Sequence, residues 1–191
     1  FSGATAALHA ASDLYREAGR FDESARCLKQ VAELFVKAGR NHEGERSYLQ
    51  VADELQLAAN ESLATGDRVQ ARRLLLEAAA IYGKARRMTE ASKCHLRAAE
   101  EDLGSGNINA ASENFRKASI EQLLAGELED ARNTIASIRN EEVKKTSPLK
   151  QAAALVEAFE KQDEERLNLI LKEINDFSWV RLSLAFGKLS R

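Results

Sequence analysis

A twenty-residue period in small side chains constrains this chain more than any other feature. Ala25 is followed seven residues on by Ala32 and fourteen on by Gly39, and the pair recurs as Ala71 with Ala78, Ala91 with Ala98, and Ala111 with Ala118. Thr5 with Ser12 is a looser version ahead of Gly19, while Glu45 with Ala52 keeps only the second slot and Ala131 only the first. Anchors 5, 25 and 45 stand twenty apart, and so do 71, 91, 111 and 131; the step of 26 between the blocks gives one unit six additional residues, placed within 58–67. A fixed period of this size is the mark of stacked repeats. Twenty residues hold one helix of about 15 residues, roughly 22 Å of rod, and a short turn.

The breaks agree with the period. Gly19, Gly39, Gly66, Gly106 and Gly126 each follow a helical run, where a left-handed closing residue is wanted, and Arg86-Arg87 marks the corresponding turn without a glycine. Within units, apolar residues return at helical spacing, as Leu28, Val31, Ala32 and Phe35 do. One proline in 191 residues adds to the helical expectation. Short turns make consecutive helices antiparallel, and small residues let them approach closely. The predicted fold is all-α: a right-handed α-solenoid of antiparallel helix hairpins, about 40 residues per pair against 34 in a tetratricopeptide array. The repeat array spans 1–140, and 141–191 forms a C-terminal helical bundle or cap packed on the last repeat. Residues 141–150 hold Pro148 and read as a linker or a helix start at Ser147-Pro148. Helices follow over 148–161 and 164–174, and an aromatic-rich cap over 177–189.

Several function classes drop out. A formal charge of -2 argues against a general nucleic-acid binder. Two cysteines, Cys27 and Cys94, make no disulfide framework, and no apolar run or signal pattern appears, so a cytoplasmic protein is expected. The chain opens on Phe1 rather than Met, consistent with a truncated start. His9, His42 and His95 lie in different units, and Cys94-His95 point about 100° apart on a helix, so no metal site is expected. Gly104-Ser105-Gly106 is no phosphate loop, and no nucleophile has an identifiable base. The expectation is a non-enzyme without a cofactor.

What remains is surface. One step after the anchor stand Arg26, Arg46, Arg72 and Arg132, with Arg73 and Lys93 in the adjacent slot. Alternate helices of an array run parallel, so such charges can align into a stripe suited to an acidic partner. The same residues also read as helix formers on wet faces.

Three stretches carry a family resemblance. Ala18-Gly19-Arg20-Phe21 with Ala25-Arg26 is similar to a family turn, and residues 91–97 to a family helix of the form A-x-K-C-x-L. Residues 155–163, Leu-Val-Glu-Ala-Phe-Glu-Lys-Gln-Asp, are close to L-L-E-x-[HY]-[ED]-x-Q-[ND]. The chain resembles the soluble NSF attachment proteins, or SNAP adaptors, with the gamma type nearest in pattern. The resemblance implies a sheet of long helix hairpins that wraps a SNARE helical bundle and recruits a hexameric AAA+ ATPase to disassemble it in membrane fusion and vesicle trafficking. By motif it places Arg20, Arg26 and Lys93 toward the SNARE bundle; with the slot arginines the candidate set is Arg20, Arg26, Arg46, Arg72, Arg73 and Lys93. For the ATPase it places Glu157 and Glu160, extended to Asp163 and Glu164. Lys161 departs by standing where the alpha type is acidic. The family's hydrophobic N-terminal loop and its acidic, leucine-bearing tail are not seen, the chain ending Phe186-Gly187-Lys188-Leu189-Ser190-Arg191. The expectation is a trimmed chain or a distant homologue without full activity, reaching membranes through its partners or through a missing N-terminal loop. The alternative is a general tetratricopeptide-type scaffold for an unrelated partner.

Overall fold

A computed structural model describes residues 2–174; the cap expected over 177–189 and the tail over 186–191 lie outside the described residues. Among the described residues every element is an α-helix: α1 (Ser2–Glu17), α2 (Phe21–Lys37), α3 (Asn41–Ala64), α4 (Arg68–Lys84), α5 (Met88–Gly104), α6 (Ile108–Ala125), α7 (Leu128–Ser137), α8 (Glu141–Lys145), α9 (Ser147–Lys161) and α10 (Glu164–Ile174). The chain divides into two compact units, Phe1–Arg87 and Met88–Arg191.

One turn is used again and again. At the end of α1 the Arg20 amide donates to the Tyr15 carbonyl at 2.8 Å. The same six-to-one bond joins Arg40 to Phe35, Asp67 to Ser62, Arg87 to Tyr82, Asn107 to Asp102, and Glu127 to Gln122. Such a closure satisfies carbonyls that the last helical turn leaves open, and it needs a left-handed residue just before the donor. Gly19 (φ 70°) and its four counterparts provide it, and at the remaining turn, between α4 and α5, Arg86 takes φ 58°. The next helix starts at once, so each connection is only two or three residues long and the array keeps its period.

In the first unit α1 packs on α2, α2 on α3, and α3 on α4. The small-residue slots lie at these contacts: Ala25, Ala32, Ala52, Ala71 and Ala78 are 2% exposed or less. Gly44 marks a crossing so close that a methyl group there would require its neighbours to shift. A Cβ there would stand 2.7 Å from Val36 Cγ2 and 3.3 Å from the Ala32 carbonyl oxygen. Leucine and valine side chains, Val31, Val51, Leu74 and Leu75 among them, fill the space beside the alanines.

The second unit is built round α6, which packs against α5, α7, α8 and α9. Its α5–α6 hairpin shows antiparallel pairing directly. Asn114 donates to Asp102 at 2.8 Å near the turn, and seven residues further out on both helices His95 Nδ1 meets Glu121 Oε2 at 2.8 Å. Beyond α7, Leu155, Phe159, Leu167 and Leu171 of α9 and α10 close over Leu123 and Ala131.

The array of antiparallel hairpins is therefore an α-solenoid, with helices of 16 to 18 residues in α1, α2, α4, α5 and α6, slightly longer than expected. The six additional residues lengthen α3, which runs unbroken for 24 residues, because nothing between Ala58 and Ala64 breaks a helix. One local difference stands out. The stretch expected as a linker holds α8, whose first amides are capped by the Asn140 side chain, accepting from Glu142 N at 2.9 Å and Val143 N at 3.2 Å. The last two helices fall where the sequence puts them, at Ser147–Lys161 and Glu164–Ile174.

Candidate functional site

In the first unit α2 and α4 run side by side over α3 and leave a groove between them. At one end, a cavity of about 170 Å³ is lined by Asp22, Arg26 and Lys29 of α2, Arg73 and Glu77 of α4, and Val51 and Leu55 of α3. Arg26 and Arg73, two of the expected slot residues, do converge here. Lys29, which slot counting missed, joins them and reaches across to Glu77 at 3.7 Å. The groove continues past this pair into a larger cavity of about 500 Å³, with Tyr48 of α3, Val36 of α2, and Ile81 and Lys84 of α4 on its walls. The cations here are not bare. Arg26 pairs with Asp22 at 2.5 Å and Arg73 with Glu77 at 3.5 Å.

The other candidates lie elsewhere. Arg20 stacks over the Tyr15 ring at 4.9 Å and grips Glu23 at 2.6 Å; that hydrogen bond pushes the Glu23 carboxyl below the usual carboxylate range. Arg40 repeats the arrangement one unit on, over Phe35 at 4.7 Å with Glu43 at 2.7 Å, so Arg20 also serves its turn. Arg72 is half-buried, beside the fully buried Ala71. Arg46 is exposed on α3, where it lines neither end of the groove. In the second unit Lys93 lines a separate cavity of about 420 Å³ with Leu96, Gln122, Glu127, Asp130 and Thr134. Among the described residues Arg46 and Lys93 make no ion pair, which leaves both charges open to solvent or a partner.

The carboxylates assigned to the ATPase sit on α9, on the first turn of α10 and between the two. Glu157 accepts from Lys161 at 2.6 Å through one oxygen and pairs with Arg166 of α10 at 2.7 Å through the other. The Lys161 hydrogen bond, more than any other contact, holds the Glu157 carboxyl below the usual range. Glu160 accepts from Arg132 Nε of α7 at 2.5 Å, while the same guanidinium reaches Glu129 at 2.8 Å. Asp163 acts locally, its Oδ1 accepting from the Arg166 amide at 2.9 Å and capping α10. Glu164 is exposed in the first turn of α10. Arg132 shares its slot with Arg26, yet the fold turns it toward a carboxylate of α9.

Among the described residues no three His, Cys, Asp or Glu side chains converge, and no helix is long and apolar enough to cross a membrane. His95 is committed to Glu121, whose carboxyl is pushed up by burial. The comparison with curated proteins returns no match. The family model described as soluble NSF attachment protein, SNAP, matches residues 1–181, nearly the whole chain, and the chain belongs to that family.

Proposed function

We propose that this SNAP-family chain, gamma-like in its sequence pattern, is a non-catalytic adaptor that binds a SNARE helical bundle and recruits an NSF-like AAA+ ATPase to it. A SNAP-type adaptor role in general follows from the family, and the match over residues 1–181 is the observation that carries the reading. The surface chemistry supports the finer part. Arg26, Lys29 and Arg73 line one groove of the first unit, and Lys93 stands unpaired among the described residues of the second. A long acidic bundle lying across such cations is held by many screened contacts, each modest. Glu157 and Glu160 on α9, with Asp163 and Glu164 at the start of α10, are the proposed ATPase contacts. Work in membrane fusion would place the chain in the cytoplasm, peripheral to membranes through its partners.

The test is binding of the full chain to an assembled SNARE bundle at two salt concentrations. Reversing Arg26→Glu together with Lys93→Glu should weaken binding roughly tenfold or more at low salt, with less difference at high salt. Equal affinity for both proteins at both salts would refute the docking face. The apolar walls of the larger cavity, Val36, Tyr48 and Ile81, favour a second reading as a tetratricopeptide-type scaffold holding a peptide of another partner. Failure to retain an AAA+ N-domain would favour the scaffold.

A further inference from the structure

The ion pairs on α7, α9 and α10 have a consequence for how the carboxylate face is used. Both oxygens of Glu157 are engaged, by Lys161 and Arg166, and Glu160 is engaged by Arg132, which also bridges to Glu129. Two of these cations come from helices other than α9: Arg132 from α7 and Arg166 from α10. Their placement is therefore a product of the tertiary fold. Three carboxylates face three cations, so this ion-paired patch is charge-balanced, and the open negative charge beside it comes from Glu164 and Glu165 in the first turn of α10.

We propose that Arg132 and Arg166 are specificity-determining residues of this face: by occupying Glu160 and Glu157 they make a basic partner compete with the chain's own cations. The inference rests on reading Glu157 and Glu160 as the ATPase contacts. The pairs are half-exposed, with 52% of the Arg132 side chain and 42% of the Arg166 side chain open to solvent. They form no rigid lock, and a partner can displace them side chain by side chain. Their effect is on charge: an incoming lysine meets a carboxylate already satisfied and a guanidinium that repels it. Removing one such screened charge should tighten binding of a basic partner roughly twofold to fivefold, and removing both should combine the gains. Partners with weak basic charge are discriminated against most, because they gain least from displacing a bound arginine.

The experiment measures the affinity of the full chain for the isolated N-domain of an NSF-type ATPase at low and at moderate salt. Four proteins are compared with the wild type: Arg132→Ala, Arg132→Ala/Arg166→Ala, Glu157→Lys/Glu160→Lys, and Lys37→Ala as a cation of the first unit outside the face. Helical circular dichroism and melting confirm that each folds. The double arginine variant should bind roughly fourfold to twentyfold more tightly at low salt, with a steeper salt dependence, and Lys37→Ala should match the wild type. Unchanged or weaker binding by the double arginine variant, with binding lost in Glu157→Lys/Glu160→Lys, overturns the inference and leaves the ATPase reading standing. Equal tightening by Lys37→Ala also overturns it, since net charge alone would then explain the gain. An N-domain that does not bind the wild type, or that ignores the glutamate reversals, overturns the ATPase reading and this inference with it.

Discussion

Glu54 lies on α3 with 2% of its surface exposed, paired at 2.6 Å with Arg16 of α1. Burial dominates its environment and pushes the carboxyl above its usual range, against the pull of Arg16 and the Ser24 hydroxyl. A group whose folded value is raised costs stability while ionised. The cost fades as pH falls through the folded value toward the unfolded one near 4.5. Glu54→Gln removes this charge, so the stability gap between wild type and variant in urea should narrow or reverse in favour of the wild type between pH 7 and pH 5. Parallel curves over that range would contradict the assignment. The comparison with the variant matters because Glu23, Glu43 and Glu157 shift the other way. Other buried polar groups form a series that the sequence did not reveal. Ser12 meets Ser24, Asp102 meets Asn114, and Gln122 meets Thr134, each pair twelve residues apart across a turn. Serine, asparagine and glutamine on a helix read as wet face until a second helix covers them. The alanine slots were legible because small apolar residues at a period of twenty have no comparable alternative.

At the scale of helices and turns, most boundaries could be read before the structure. Gly126, for example, takes φ 83° where the sequence ends a helix. Arg86 adopts the same conformation without being a glycine. A side chain in that region costs about 1–2 kcal/mol, against about 0.5–1 kcal/mol for the extra freedom a glycine loses on folding. Arg86→Gly should therefore raise stability by up to about 1 kcal/mol, visible as a higher urea midpoint at unchanged slope. A lower midpoint would mean that the arginine side chain holds the turn by its own contacts. Where element prediction fell short, the causes are physical. The five residues of α8 are too few for a helical period to show, and the Asn140 cap is the one local signal. α6 departs from an amphipathic pattern because four helices surround it, burying Asn114, Arg116 and Gln122 beside Phe115 and Leu123.

Across the whole molecule, the repeat explains which candidate side chains the fold brings together and which it does not. A slot count treats every helix alike, but neighbours in an antiparallel array present the same slot toward opposite ends. Arg26 and Arg73, on α2 and α4, share a groove; Arg46 on α3 lines neither end of it, and Arg132 on α7 is drawn to Glu160. Three of the candidate cations, Arg20, Arg26 and Arg73, and the slot residue Arg132 hold nearby carboxylates, a compensation that the spacing of like residues cannot display. The family match and the hairpin array together support the proposed adaptor, which offers surface to two partners. Bridging is the property on which that description stands, and the most direct measurement of it is co-migration in size-exclusion chromatography with light scattering. A SNARE bundle and an NSF-type ATPase in its ATP-bound, non-hydrolysing state are mixed with and without the chain. One high-mass peak holding all three is predicted only when the chain is present, and it should be lost in the Arg26→Glu/Lys93→Glu protein. ATPase and SNARE bundle eluting apart in the presence of the wild-type chain would contradict bridging.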